Sequence, residues 1–206
     1  VKKTILVAPA EEASHVAIEA KTSGLEPILA YVTEADEPGA REGQERIAWN
    51  PSSFASARAL ATMLSNAPHR LAYAVIAPYF PERRTLAEIS AAEIDSVADH
   101  SLSGPLRLFK ELSALRASGH DDLRVAFLLR KKEEARDLEG VAWEASRAAC
   151  ETIADSFPDW CICVVDECPQ RELTAQFVVK ALTAQPFKQG GKTVRFTGKS
   201  GLFGIL

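Results

Sequence analysis

The chain has 206 residues, 47% of them hydrophobic and 25% charged, with a formal net charge of -4 and a pI near 5.7. That length suits one large domain or two small ones, with enough chain to bury a sizeable core. The charge balance gives no overall attraction to nucleic acid or an anionic membrane, and no apolar stretch approaches the ~20 residues that a membrane-spanning helix needs.

The first residues, VKKTILVAPAEEA, carry an apolar run too short for a signal peptide and followed at once by acids. They read as a buried strand at residues 4–7, and the chain reads as cytoplasmic. A helix-period stretch at 10–23 closes on Gly24, a C-cap residue. Residues 27–32 form the next strand. An irregular crossover spans 33–50, with a short strand near 46–49. A helix over 51–66 follows, N-capped by Asn50. Then come a strand at 72–76, a short helix at 87–99 capped by Thr85 or Ser90, and a helix at 105–118 stopped by Gly119. The remaining elements are a strand at 125–129, a helix at 143–156 ending before Pro158, a strand at 161–165, a helix at 172–184 ending before Pro186, and a strand at 193–196. Several strands are apolar almost throughout, as in a parallel sheet covered on both faces. Strand then helix, repeated along residues 1–206 without a linker or repeat, predicts one doubly wound α/β domain.

The dense basic group Arg130-Lys131-Lys132 runs directly into Glu133-Glu134 and reads as a solvated loop or helix start. Four cysteines stand at positions 150, 161, 163 and 168, and the histidines at 15, 69, 100 and 120 are scattered. Cys161 and Cys163 alternate along a strand and point to one face; they read as small buried apolar residues, and no zinc site is expected.

A doubly wound sheet takes its ligand at the carboxyl ends of the strands, where glycines let backbone N–H groups reach a pyrophosphate. Here that turn reads APAEEASH, residues 8–15. It has no glycine, Pro9 lacks an N–H, and Glu11 and Glu12 bring negative charge. Two like charges at ~4 Å repel by about 4 kcal/mol at an effective dielectric of ~20. Acids in a first helical turn also favour the helix dipole with no ligand at all, and that reading is preferred for both glutamates.

The order of elements, with AWEASRAA at 142–149, resembles the short-chain dehydrogenase/reductase family over nearly the whole chain. The family's first-turn glycines fall on Pro9, Ala13 and His15. Its Asn-Asn-Ala-Gly falls on Ile76-Ala77-Pro78-Tyr79. LAEISAAEIDSVADHSLSGPLRLFKEL is similar to the family's fourth and fifth helices, with Ser101 for the catalytic Asn and Gly104 kept. The catalytic Ser falls near Arg130. Tyr-x-Ala-Ser-Lys becomes Trp143-Glu144-Ala145-Ser146-Arg147. The Pro-Gly turn after the sixth strand is replaced by Asp166-Glu167-Cys168-Pro169, and the segment that folds over substrate is nearly absent, because Arg171 begins the next helix. GGKTVRFTGKSG resembles the final strand.

The resemblance implies a Rossmann-like sheet with helices on both faces, and its departures imply lost chemistry. The family's tyrosine is an acid/base tuned by the lysine; the indole N–H of Trp143 is a donor only, Arg147 has no phenol to tune, and Arg130 lacks a hydroxyl. His100 beside Ser101 reads as a pair at a helix start, not as base and nucleophile. The chain is therefore expected to be a catalytically inactive subunit, similar to those of heteromeric family members such as the benzylsuccinate-pathway hydroxyacyl-CoA dehydrogenase. It would bind no cofactor itself and would stabilise an active, NAD-binding paralogue in a heterotetrameric alcohol or hydroxyacyl-CoA dehydrogenase, through Leu106, Phe109, Ala145, Ala149 and Phe203. The alternative is a divergent oxidoreductase, or a homo-oligomeric binding module, that holds an anionic ligand with Arg130 and Arg147.

Overall fold

A computed structural model describes residues 3–32, 45–66, 70–80, 86–130 and 137–198. Phe203 and the rest of the 202–206 tail, Thr85, and most of the 33–50 crossover lie outside these residues.

Seven parallel strands form one sheet: β1 (Lys3–Ala8), β2 (Glu26–Val32), β3 (Glu45–Trp49), β4 (Arg70–Ile76), β5 (Arg124–Arg130), β6 (Cys161–Asp166) and β7 (Thr193–Phe196). Their spatial order is β3-β2-β1-β4-β5-β6-β7. The chain winds outward in one direction from β1 and in the other from β4, so the switch point lies between those two strands. Among the described residues six α-helices accompany the sheet: α1 (Ala10–Thr22), α2 (Phe54–Asn66), α3 (Ala91–Ala98), α4 (Gly104–Ala117), α5 (Asp137–Ser156) and α6 (Arg171–Thr183).

The apolar strand runs serve two faces. Leu6, Ile76, Phe127, Cys161 and Cys163 turn to the face packed by α2, α4 and α5. Ile5, Val75, Ala126, Ile162 and Val164 turn to the face packed by α1 and α6. All four cysteines are buried and free. Burial pushes the Cys161 and Cys163 thiols up, Cys163 to about 12, because a thiolate is costly in apolar surroundings.

Three boundaries differ from the sequence reading. Asn50 does not cap a helix beginning at Pro51. Its Oδ1 accepts from Ser52 N at 2.9 Å in a tight turn, and α2 starts at Phe54, with Ser53 Oγ accepting from Ser56 N at 3.2 Å. The α5 helix begins at Asp137, six residues before Trp143, with Asp137 and Glu139 in its first turn, where acids suit the helix dipole. The helices expected at 87–99 and 105–118 are joined. After a capping box of Ser90 and Glu93, α3 passes through a π-helical turn at Asp99–Ser103 straight into α4. Pro105 explains that turn: it lacks the N–H that a regular helix would send to the Ser101 carbonyl. Gly104 is needed here, because a Cβ would sit 2.5 Å from Pro51 Cβ and 2.6 Å from the Asp99 carbonyl oxygen.

Phe109 is corrected from an interface residue to a core residue. It is 7% exposed and stacks on Trp160 at 5.1 Å, with Phe127 at 5.4 Å. A helical stripe shows that a face is buried but not what buries it. Leu106 and Ala149 are half-buried, and Ala145 is exposed.

Candidate functional site

A cleft opens at the carboxyl ends of the central strands, between the first turns of α1 and α6. Ala13 and His15 of α1, Pro78 after β4, Arg130 ending β5, Asp166 ending β6 and Arg171 of α6 line it. Asp166 is 5% exposed and held, its Oδ1 accepting from Thr174 Oγ1 at 2.7 Å and Cys168 N at 3.0 Å. His15 Nδ1 lies 3.5 Å from Glu172 Oε1. Neither guanidinium in the cleft has a hydrogen-bond or ion-pair partner among the described residues.

The turn between β1 and α1 is closed rather than open. Pro9 occupies the N-cap position, Ala13 sits in a kink of α1 (φ -125°, ψ 25°), and Ala10 and Ala13 are buried. Glu11 reaches across the turn, and its Oε1 accepts from Val32 N at 3.1 Å at the end of β2. Its Oε2 is buried without a hydrogen-bond partner among the described residues. Burial raises the Glu11 carboxyl above its ordinary value, against the opposing pull of hydrogen bonds from backbone N–H groups. A dinucleotide that runs from the first turn to the end of β2 would meet this carboxylate, the methyl groups of Ala10 and Ala13, and a proline without an N–H. These residues depart from the glycine turn that lets backbone N–H groups reach a pyrophosphate.

The positions aligned with the family's catalytic groups are bonded into the scaffold. Trp143 is 9% exposed, and its Nε1 donates to the Arg130 carbonyl oxygen at 3.1 Å. Arg147 is clamped between Glu144 and Glu151, at 2.7 and 3.1 Å, with its carbon 5.6 Å from the Trp143 ring centre. Hydrogen bonds to Glu144 and then Glu151 raise the Arg147 pKa. Ser101 Oγ donates to the Val97 carbonyl at 2.7 Å, and His100 Nδ1 lies 2.7 Å from the Ser96 carbonyl. Each of these two side chains thus turns back along its own helix, so they do not form a base–nucleophile pair.

Arg147 is not among the cleft residues; Arg171 is. Sequence reasoning took Arg171 only as a helix start, and missed Asp166 and Thr174 as partners. The available signal was position: each lies at, or one turn beyond, the carboxyl end of a central strand. Among the described residues no group of His, Cys, Asp or Glu is arranged to hold a metal ion, and no helix is long and apolar enough to cross a membrane.

No protein-family model and no curated protein sequence matches the chain. Solved structures do. An enoyl-[acyl-carrier-protein] reductase (NADH) from Aquifex aeolicus VF5 superposes with TM-score 0.75 at 15% identity, over 99% of this chain and 98% of that one. An aldohexose dehydrogenase from Thermoplasma acidophilum gives 0.76 at 11%, over 96% and 92%. A short-chain dehydrogenase/reductase (glucose/ribitol dehydrogenase) from Brucella melitensis gives 0.73 at 13%, over 96% and 95%. At such identities the likeness is one of architecture, and the chain has the fold of the short-chain dehydrogenases/reductases.

Proposed function

We propose that the chain is a non-catalytic subunit with a short-chain dehydrogenase fold, and that it stabilises a competent paralogue in a heteromeric alcohol or hydroxyacyl-CoA dehydrogenase. One observation carries this reading. Trp143, Arg147 and Ser101, at the positions of the family's acid/base, lysine and asparagine, each hydrogen-bond to the chain's own scaffold. None is left poised toward a reacting atom, and the turn that would hold the dinucleotide is filled by Glu11. The partner subunit would hold NAD.

The outer face of α5 supports the assembly. Val141 is 63% exposed, and Ala145 and Ala148 beside it are exposed while Ala149 is half-buried. Small side chains let a second helix approach closely, and an apolar residue this exposed gains by being covered. Co-expression of the chain with the dehydrogenases of its native cell, followed by affinity capture, tests the proposal. A stoichiometric partner that carries a glycine-rich first turn and Tyr-x-x-x-Lys is the expected result. Capture of the chain alone, with full dehydrogenase activity in cells lacking it, would overturn the proposal.

A further inference from the structure

We infer that the cleft between α1 and α6 binds a small organic monocarboxylate. Two guanidiniums from separate elements, Arg130 at the end of β5 and Arg171 in the first turn of α6, line one depression and have no partner among the described residues. Arginine presents a planar fork of donors that matches a carboxylate in bidentate geometry. The cleft also sits at two helix starts, and neither N-cap residue, Pro9 of α1 or Gln170 of α6, supplies a side-chain hydrogen bond to its helix.

The rest of the lining narrows the class. Val16, Pro78 and Leu128 add apolar surface to the lining. Glu12 and Asp166 also line the cleft. Their charge opposes a ligand with several negative charges, such as phosphate or pyrophosphate, more than one with a single charge. A single carboxylate is held by the two arginines and meets the least of that repulsion. The site uses none of Ser101, Trp143 or Arg147, so it is independent of the chemistry that the fold's enzymes perform.

The test is thermal unfolding of the purified full chain with sodium butyrate, sodium phosphate or sodium chloride at equal ionic strength, with calorimetric titration of butyrate as a second readout. Butyrate at a hundred times its Kd is expected to raise Tm by roughly 5–10 °C, with chloride giving no saturable shift and phosphate a smaller one. The double variant R130Q/R171Q is expected to lose the butyrate shift, and R147Q to keep it. Neither arginine has a partner among the described residues, so the unliganded Tm of the double variant should match the parent. An absent saturable butyrate response, an equal response in R130Q/R171Q, or a phosphate response exceeding that of butyrate would each overturn the inference.

Discussion

Ser146 Oγ lies 2.7 Å from the carbonyl oxygen of Ser101, tying the middle of α5 to the π-helical turn that leads into α4. Both residues are buried. Ser146 Oγ lies equally close, at 2.7 Å, to the Ala142 carbonyl of its own helix, so its one hydrogen is shared between the two acceptors, and Pro105 cannot donate to the Ser101 carbonyl in its place. Removing a buried donor and leaving a carbonyl short of partners costs about 1–3 kcal/mol. Ser146→Ala is therefore expected to lower Tm by several degrees in a chemical or thermal melt. An unchanged melt would show that the hydroxyl holds nothing.

Trp143→Tyr together with Arg147→Lys recreates the family's acid/base pair on α5. The double variant is expected to show no oxidation of NADH or NADPH with carbonyl substrates, followed by nicotinamide absorbance, because Pro9 and Glu11 still close the dinucleotide turn. It also loses the bond from the indole to the Arg130 carbonyl, at about 1 kcal/mol of stability. A turnover above background would show that the first turn admits the cofactor after all.

Glu11 gives a pH-dependent expectation. Burial raises its carboxyl in the folded chain, so the folded state binds a proton more tightly than the unfolded state. Stability then falls as pH rises from the ordinary carboxylate value through the raised folded value, and the full penalty stands above the latter. Glu11→Gln keeps an oxygen to accept from Val32 N and removes the charge. It is expected to raise Tm at pH above the raised folded value, with the gain shrinking as pH falls through that value toward the ordinary carboxylate value. Glu11→Ala leaves the Val32 N–H without its acceptor and is expected to lose about 1–3 kcal/mol relative to Gln. Equal melts of the two variants would mean that the hydrogen bond carries no weight.

The inner strands were legible because they are apolar on both faces, as in LAYAV and CICVV; the edge strands β3 (ERIAW) and β7 (TVRF) are only partly buried, yet stand within a residue of the positions read for them. The helix starts were less legible, because caps compete locally. Asn50 takes a turn and Ser53 starts α2. The continuity from α3 to α4 was hidden by Gly104-Pro105, which reads as a break but is carried by a π-helical turn. Phe109 was misplaced because a 3.6-residue stripe looks alike against a sheet or against a partner. The cleft was only half visible. Arg130 ends a strand, but its meeting with Arg171 depends on α6 returning beside α1 across the sheet, which no local pattern records. Glu11 was read as a dipole partner; its bond to Val32 needs the register of β2 beside β1.

The most direct measurement of the central claim is the intact mass of the assembly captured from the native cell, for the parent chain and for Ala145→Arg. Ala145 is exposed on α5, so the substitution should leave the isolated chain's melt within about 0.5 kcal/mol of the parent. The expected result is a heteromeric mass with an intact dehydrogenase for the parent, and loss of that partner for Ala145→Arg. A parent chain that runs alone or only with copies of itself, at concentrations where the dehydrogenase is present, would contradict the account.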